Sequence, residues 1–140
     1  MDGWMGWKMR NRLVATGVLA MSFAAGVALA QDADPVAQGE KVFRRCAACH
    51  QVGAGAENRV GPELADVIGR TAGTVADFKY SDAMVEYGAA GNVWTEETLA
   101  SYLENPRGVV KGTTMAFAGL KKQDERAAVI AYIAAQQAGH

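Results

Sequence analysis

The chain has 140 residues, 14 of them basic and 15 acidic, a formal net charge of −1, and half of its residues are apolar. That balance excludes a polybasic nucleic-acid binder and an acidic solvating tail. Two cysteines are too few for a disulfide-rich scaffold or a four-thiolate zinc site.

The first predicted element is a leader. Lys8, Arg10 and Arg12 precede an uncharged run from Leu13 to Ala30, which closes on Ala28-Leu29-Ala30 before polarity returns at Gln31 and Asp32. A basic start, an apolar middle and a small-x-small exit predict a secretory signal peptide over 1–30, cleaved after Ala30. Retention as an anchor is the competing reading. Eighteen residues rich in Ala and Gly lie at the short end of what spans about 30 Å of hydrocarbon, so cleavage is favoured. Translation starts at Met1 or at Met9, where Met9 to Arg12 alone make an adequate basic start. The exported domain is then 31–140, with 11 basic against 14 acidic residues, formally −3, two methionines (Met84 and Met115) and one tryptophan, Trp94. A domain of 110 residues buries a modest core, so a large apolar cofactor adds materially to its stability.

Within that domain, Asp34-Pro35 places a capping side chain before the residue best suited to a first helical turn. The helix it opens carries Val36, Gly39, Val42 and Phe43 on one face and runs into Cys46. Segments 51–62 and 68–80 are Gly-rich and aperiodic, and read as loops. Thr95 followed by Glu96 and Glu97 predicts a second cap with first-turn acids, opening a helix that buries Leu99, Tyr102 and Leu103 and stops before Pro106. A last helix, about Lys122 to Gln137, presents Val129, Tyr132 and Ile133 on one face.

The chemistry lies in Cys46-Ala47-Ala48-Cys49-His50, a C-x-x-C-H motif. Two thiols at i and i+3 can each add to one haem vinyl group, and the next residue then lies under the iron to offer an imidazole nitrogen. A thioredoxin-like pair calls for strand–helix alternation that the sequence lacks. A zinc site lacks ligands, since only His140 accompanies His50. A structural disulfide leaves His50 unexplained. Candidates for a second iron ligand are Met84, Met115, His140 and the lysines. His140 ends the chain after Ala138-Gly139, and Met84 sits where a helix start makes it a core-filler. Met115, in a loop with Gly112 and Gly119 at its ends, is favoured on local context.

These features together resemble the class I cytochromes c, in particular bacterial members similar to the mitochondrial electron carrier. The resemblance runs from about Asp34 to Gln137. It rests on Gly39 to Phe43, the motif at 46–50, Gly61-Pro62, Gly69-Arg70, Phe78 to Asp82, Val93 to Leu99, Tyr102 to Pro106 and Gly112 to Gly119. It implies an all-α fold of helices and long loops wrapped around one haem c, covalently held by Cys46 and Cys49. It implies His50 and Met115 as iron ligands, with Pro62 orienting His50 through a backbone carbonyl. Arg70, Tyr80 and Trp94 match residues that hold the inner propionate, where an unpaired buried charge would be costly. Tyr102 and Thr113 match a hydrogen-bond network beside the methionine, and Phe117 an aromatic lid at the haem edge. Gly39, which costs about 1 kcal/mol against Ala in a helix interior, is expected to permit a close crossing of the first and last helices near Tyr132. Two positions depart from the family pattern. Met84 stands where close relatives carry Asn, and Lys111 and Thr114 replace the usual Pro and Lys around the Met loop.

The function implied is one-electron transfer rather than catalysis, by a soluble monomeric periplasmic carrier with no retained anchor. Its partners would be membrane redox complexes: a cytochrome bc-type donor, and an oxidase or photosynthetic reaction centre as acceptor. They would dock transiently at a basic haem edge formed by Lys41, Arg45, Arg107, Lys111, Lys121 and Lys122. A haem peroxidase or gas-binding protein with an open iron position is the competing class, and a fixed subunit of a larger complex a third.

Overall fold

The computed structural model describes residues 34–137 and Gly139, within a compact unit running from Gln31 to His140. The leader, its cleavage point, the start at Met1 or Met9, and His140 lie outside the described residues. Among the described residues five helices follow in chain order: α1 (Pro35–Phe43), α2 (Asp82–Ala89), α3 (Glu96–Glu104), α4 (Pro106–Val109) and α5 (Gln123–Gln137). No strand occurs among the described residues. A single antiparallel bridge pairs Thr71 with Val93.

Local chemistry explains where the helices begin. The Asp34 carboxylate accepts from Val36 N at 3.0 Å and Pro35 occupies the first turn, where a missing N–H costs nothing. At α2, Ser81 Oγ accepts from Met84 N. At α3, Thr95 and Thr98 cap one another reciprocally, each hydroxyl accepting from the other's backbone N–H, at 3.1 and 2.8 Å. The helix ends at Glu104, before Pro106 as expected. Asn105 then closes α3 and opens α4, its side chain accepting from Gly108 N. That short fourth helix was not anticipated.

Packing is dominated by α1 against α5. Gly39 is buried at the crossing, where a Cβ would meet the Ala128 carbonyl and stand 2.7 Å from Tyr132 Cβ. The expected close approach is therefore present, and Gly39 is what permits it. The Phe43 and Tyr132 rings meet there at a tilt of 48°, with centroids 5.4 Å apart. α5 buries Ala128, Val129, Ile130 and Ile133, whereas Tyr132 is only half-buried. α3 contributes Leu99, Tyr102 and Leu103 to the same core, with Val110, Leu120 and Trp94 filling it from the loops. Burying side chains of this size contributes roughly 1.5–3 kcal/mol each.

The remaining chain, 44–80 and 110–122, carries no α-helix. Its order comes from specific tethers. Gln137 donates to Ile68 O at 2.9 Å and accepts from Ile68 N at 3.2 Å, fastening the end of α5 to the second loop. Asn58 donates to Ala76 O at 2.8 Å and accepts from Glu63 N at 3.0 Å, joining the two loops. Among the described residues no helix is long and apolar enough to cross a membrane.

Candidate functional site

The turn after α1 places the thiols. His50 N and Cys49 N both donate to Cys46 O at 2.9 Å, so the motif is one hydrogen-bonded turn. Both cysteines are free and partly buried, so no disulfide joins them. Burial pushes the Cys46 thiol up, against the nearby Arg45 charge.

His50 is oriented by its neighbours. Its Nδ1 lies 2.7 Å from Pro62 O. A carbonyl can only accept, so Nδ1 carries the proton and Nε2 keeps its lone pair. Burial lowers the His50 pKa, partly opposed by that hydrogen bond, which keeps the ring neutral and a competent ligand. Gly61 packs directly on the ring, where a Cβ would stand 2.7 Å from Nδ1 and 2.8 Å from Nε2.

Met115 is held by a closed ring of hydrogen bonds. Tyr102 OH donates to Met115 Sδ at 3.7 Å, which leaves Thr113 Oγ1 to donate to the Tyr102 oxygen at 3.1 Å. Thr113 Oγ1 in turn accepts from Met115 N at 3.3 Å. Each hydroxyl donates once and accepts once, so the loop fixes both ends of the methionine. Burial raises the Tyr102 pKa, with the Thr113 hydrogen bond acting the other way, so the phenol keeps its proton. Met84 is buried to 7% exposure in the core and contributes packing, as its place in α2 implied.

Arg70, Tyr80 and Trp94 are brought into one neighbourhood. Trp94 is bonded through its backbone to the Gly69-Arg70 segment, Trp94 N donating to Arg70 O at 2.9 Å and Gly69 N to Trp94 O at 2.7 Å. Trp94 is buried between Tyr87 and Tyr102, with centroids 5.7 and 4.9 Å away. Tyr80 OH accepts from Val75 N at 3.4 Å. Its pKa is raised chiefly by burial, and the Val75 N–H and Arg70 oppose this while Glu63 reinforces it.

Glu63 is the residue the sequence did not reveal. Its Oε1 accepts from Arg70 Nη2 at 2.8 Å, and its backbone carbonyl accepts from Arg70 Nη1 at 3.2 Å. It follows Pro62 in an aperiodic loop, where no sequence pattern marks a partner.

The six cations are all exposed. They are not uniformly uncompensated. Arg45 forms a forked pair with Glu125, at 2.9 and 3.2 Å, and Lys122 lies 3.7 Å from the same carboxylate. Lys121 Nζ donates to Glu104 O at 2.7 Å. Lys41, Arg107 and Lys111 take part in none of the ion pairs among the described residues. Arg107 and Phe117 line a hollow of about 240 Å³ with Asn105, Ala116 and Ala118.

This donor set fits haem c. Two free thiols stand one turn apart, an imidazole has its Nδ1 taken and its Nε2 available, and a thioether is tethered through its sulfur. Half-buried apolar residues from several segments, among them Val52, Leu64, Ile68, Val109 and Phe117, pack on the core together with Cys46 and Met115. No cluster of three or more His, Cys, Asp or Glu placed to hold a bare metal ion exists among the described residues.

Comparison with known proteins agrees. The family described as Cytochrome c matches residues 36–137. A cytochrome c2 of Afifella marina is 54% identical over 103 residues, covering 74% of this chain and 83% of that protein. A cytochrome c2 of Blastochloris viridis is 44% identical over 125 residues, covering 89% of this chain and 92% of the relative. The solved structure of cytochrome c2 from Rhodospirillum centenum superposes with a TM-score of 0.70 at 39% identity, over 74% of this chain and 98% of that one. Motif, helical fold and relatives coincide, and the chain belongs to the class I cytochromes c: an electron-transfer protein rather than an enzyme, with one haem c bound covalently through Cys46 and Cys49.

Proposed function

We propose that this cytochrome is an exported, diffusible carrier in which His50 and Met115 would hold the haem iron through an imidazole nitrogen and a thioether sulfur. The observation that carries the reading is that both donors are oriented by hydrogen bonds, His50 by Pro62 O at 2.7 Å and Met115 Sδ by Tyr102 OH at 3.7 Å. Bound haem supplies an iron that gains or loses one electron. Everything else falls to this chain. Cys46 and Cys49 tether the group, and His50 offers Nε2. Met115 offers a soft sulfur that favours the ferrous state. Arg70, Tyr80 and Trp94 provide polar hydrogens for the inner propionate, and Phe117 borders the edge where electrons enter and leave. With His50 and Met115 both holding the iron, the group would serve electron transfer rather than substrate binding.

Export follows from the leader, with cleavage after Ala30 releasing a monomeric domain to the periplasm. Partners are membrane redox complexes, a cytochrome bc-type donor and an oxidase or photosynthetic reaction-centre acceptor. They dock transiently by acidic surfaces on Lys41, Arg107, Lys111 and Lys121, because Glu125 already offsets Arg45 and Lys122. Contacts of this kind are small and salt-sensitive.

The experiment is spectroscopic. A pyridine haemochrome spectrum with the mass of the purified protein reports haem type, covalent attachment and the cleavage point together. A ferric Met–iron charge-transfer absorption supports the ligation. Avid carbon monoxide binding by the native protein overturns it in favour of an open-site haem protein. Reduction rates that do not fall with rising ionic strength overturn the docking surface.

A further inference from the structure

Arg70 matches a residue that holds a haem propionate in related proteins, yet in this chain its guanidinium already has an acidic partner. Nη2 meets Glu63 Oε1 at 2.8 Å, and Nη1 donates to the Glu63 carbonyl at 3.2 Å. The two side chains are only 18% and 19% exposed, so their attraction is less screened than that of a surface pair. Glu63 is itself fixed at two further points. Its Oε2 accepts from Ala65 N at 2.6 Å, and its backbone N–H donates to Asn58 Oδ1 at 3.0 Å. Asn58 is tied in turn to Ala76 O. The carboxylate is thus an anchored part of the loop framework.

An arginine has five N–H donors in a rigid fork. Two of them point to Glu63, which fixes the plane of the guanidinium and leaves the others to approach a second acid. The negative charge of Glu63 also cancels part of the positive charge that Arg70 presents to the interior. Glu63 directly follows Pro62, whose carbonyl accepts from His50 Nδ1 at 2.7 Å, so the pair lies in the segment that orients the histidine.

We infer that Glu63 is a positioning residue for Arg70 and that its charge sets the haem midpoint potential lower than Arg70 alone would. The reasoning rests on the haem-carrier reading above. A fixed carboxylate beside the site stabilises the more positive ferric state, and removing it favours the ferrous one. The shape of the site need not change for the potential to move.

The test uses the full haem-loaded protein. Glu63→Gln keeps the side-chain shape and one accepting oxygen but removes the charge. Spectroelectrochemical titration at pH 7 should show the ferrous-to-ferric ratio, held at the wild-type midpoint, rising at least twofold, which for a one-electron couple at 59 mV per decade is an upward shift of about 18 mV or more. Glu63→Asp retains the charge and should stay closer to wild type. Denaturant midpoints of the three proteins report folding separately. The inference is overturned if the Gln variant titrates with the wild type, or if Asp and Gln variants shift alike. Absence of a Met–iron band or of a reversible one-electron couple in the wild type itself would instead overturn the carrier reading. A wild type with both and an unshifted Gln variant overturns the role of Glu63 alone.

Discussion

Gly39→Ala tests the helix crossing on which the molecule is built. In an ordinary helix the change gains about 1 kcal/mol, because Ala loses less backbone entropy. Here the new Cβ would stand 2.6 Å from the Ala128 carbonyl carbon and 2.7 Å from Tyr132 Cβ. Carbon atoms settle at about 3.5–4.0 Å, so α5 must retreat by on the order of 1 Å. The obstruction is backbone, which cannot rotate aside as a side chain would. Overpacking of this kind typically costs about 1–3 kcal/mol. With no room to yield, the cost lies at or above the top of that range, and a net loss of about 2 kcal/mol remains after the propensity gain. For a domain of this size that lowers Tm by roughly 9 °C. Thermal unfolding of the haem-loaded protein, followed by far-ultraviolet circular dichroism, measures it. Glu40→Ala, one residue along and exposed, is the control and should move stability by less than about 0.5 kcal/mol. A Gly39→Ala protein as stable as wild type, or more so, would show that helix propensity outweighs the crossing and would refute the reasoning.

Three further perturbations address the site and its surroundings. Gly61→Ala drives a methyl group into the His50 ring, and the ferric spectrum should change from low-spin to high-spin as the imidazole is displaced. Thr113→Val breaks the hydrogen-bond ring on Met115 at two points. It should cost about 1–3 kcal/mol of stability by denaturant titration, with the Met–iron band bleaching at a lower temperature than in wild type. Glu125→Gln removes an acid whose pKa is lowered by the Arg45 hydrogen bond and charge. A depressed carboxylate contributes stability that is present above the ordinary glutamate pKa of about 4.3 and is lost as pH falls through its lowered value. The gap in Tm between wild type and variant should therefore be flat near neutrality and close below about pH 4.

The start and end of the main helices were legible because capping is written in adjacent residues. Asp34-Pro35 and Thr95 each declare a helix locally, and Pro106 stops one. The C-x-x-C-H motif was legible for the same reason, its chemistry lying within a single turn. Helix α4 was not, since four residues are too few to show periodicity, and Asn105 reads as the end of α3 until Gly108 is seen to donate to it. Arg70 was identified as a candidate, but its partner was not, because Glu63 reaches it through loop geometry rather than helical spacing. The compensation of Arg45 was hidden by a separation of 80 positions, although Lys122 and Glu125, three apart, were a local hint that an acid shares that face.

The helix pair that closes the molecule joins the beginning of the folded domain to its end, α1 at Pro35–Phe43 and α5 at Gln123–Gln137. A chain delivered from its amino terminus presents Cys46, Cys49 and His50 long before the partner of α1 has arrived. Until it arrives, α1 lacks the backbone against which Gly39 packs. The fifteen residues of α5 supply it, and closing so long a loop carries an entropic cost that local contacts escape. The topology that buries the crossing at Gly39 thus makes the closing contact depend on both ends of the folded domain.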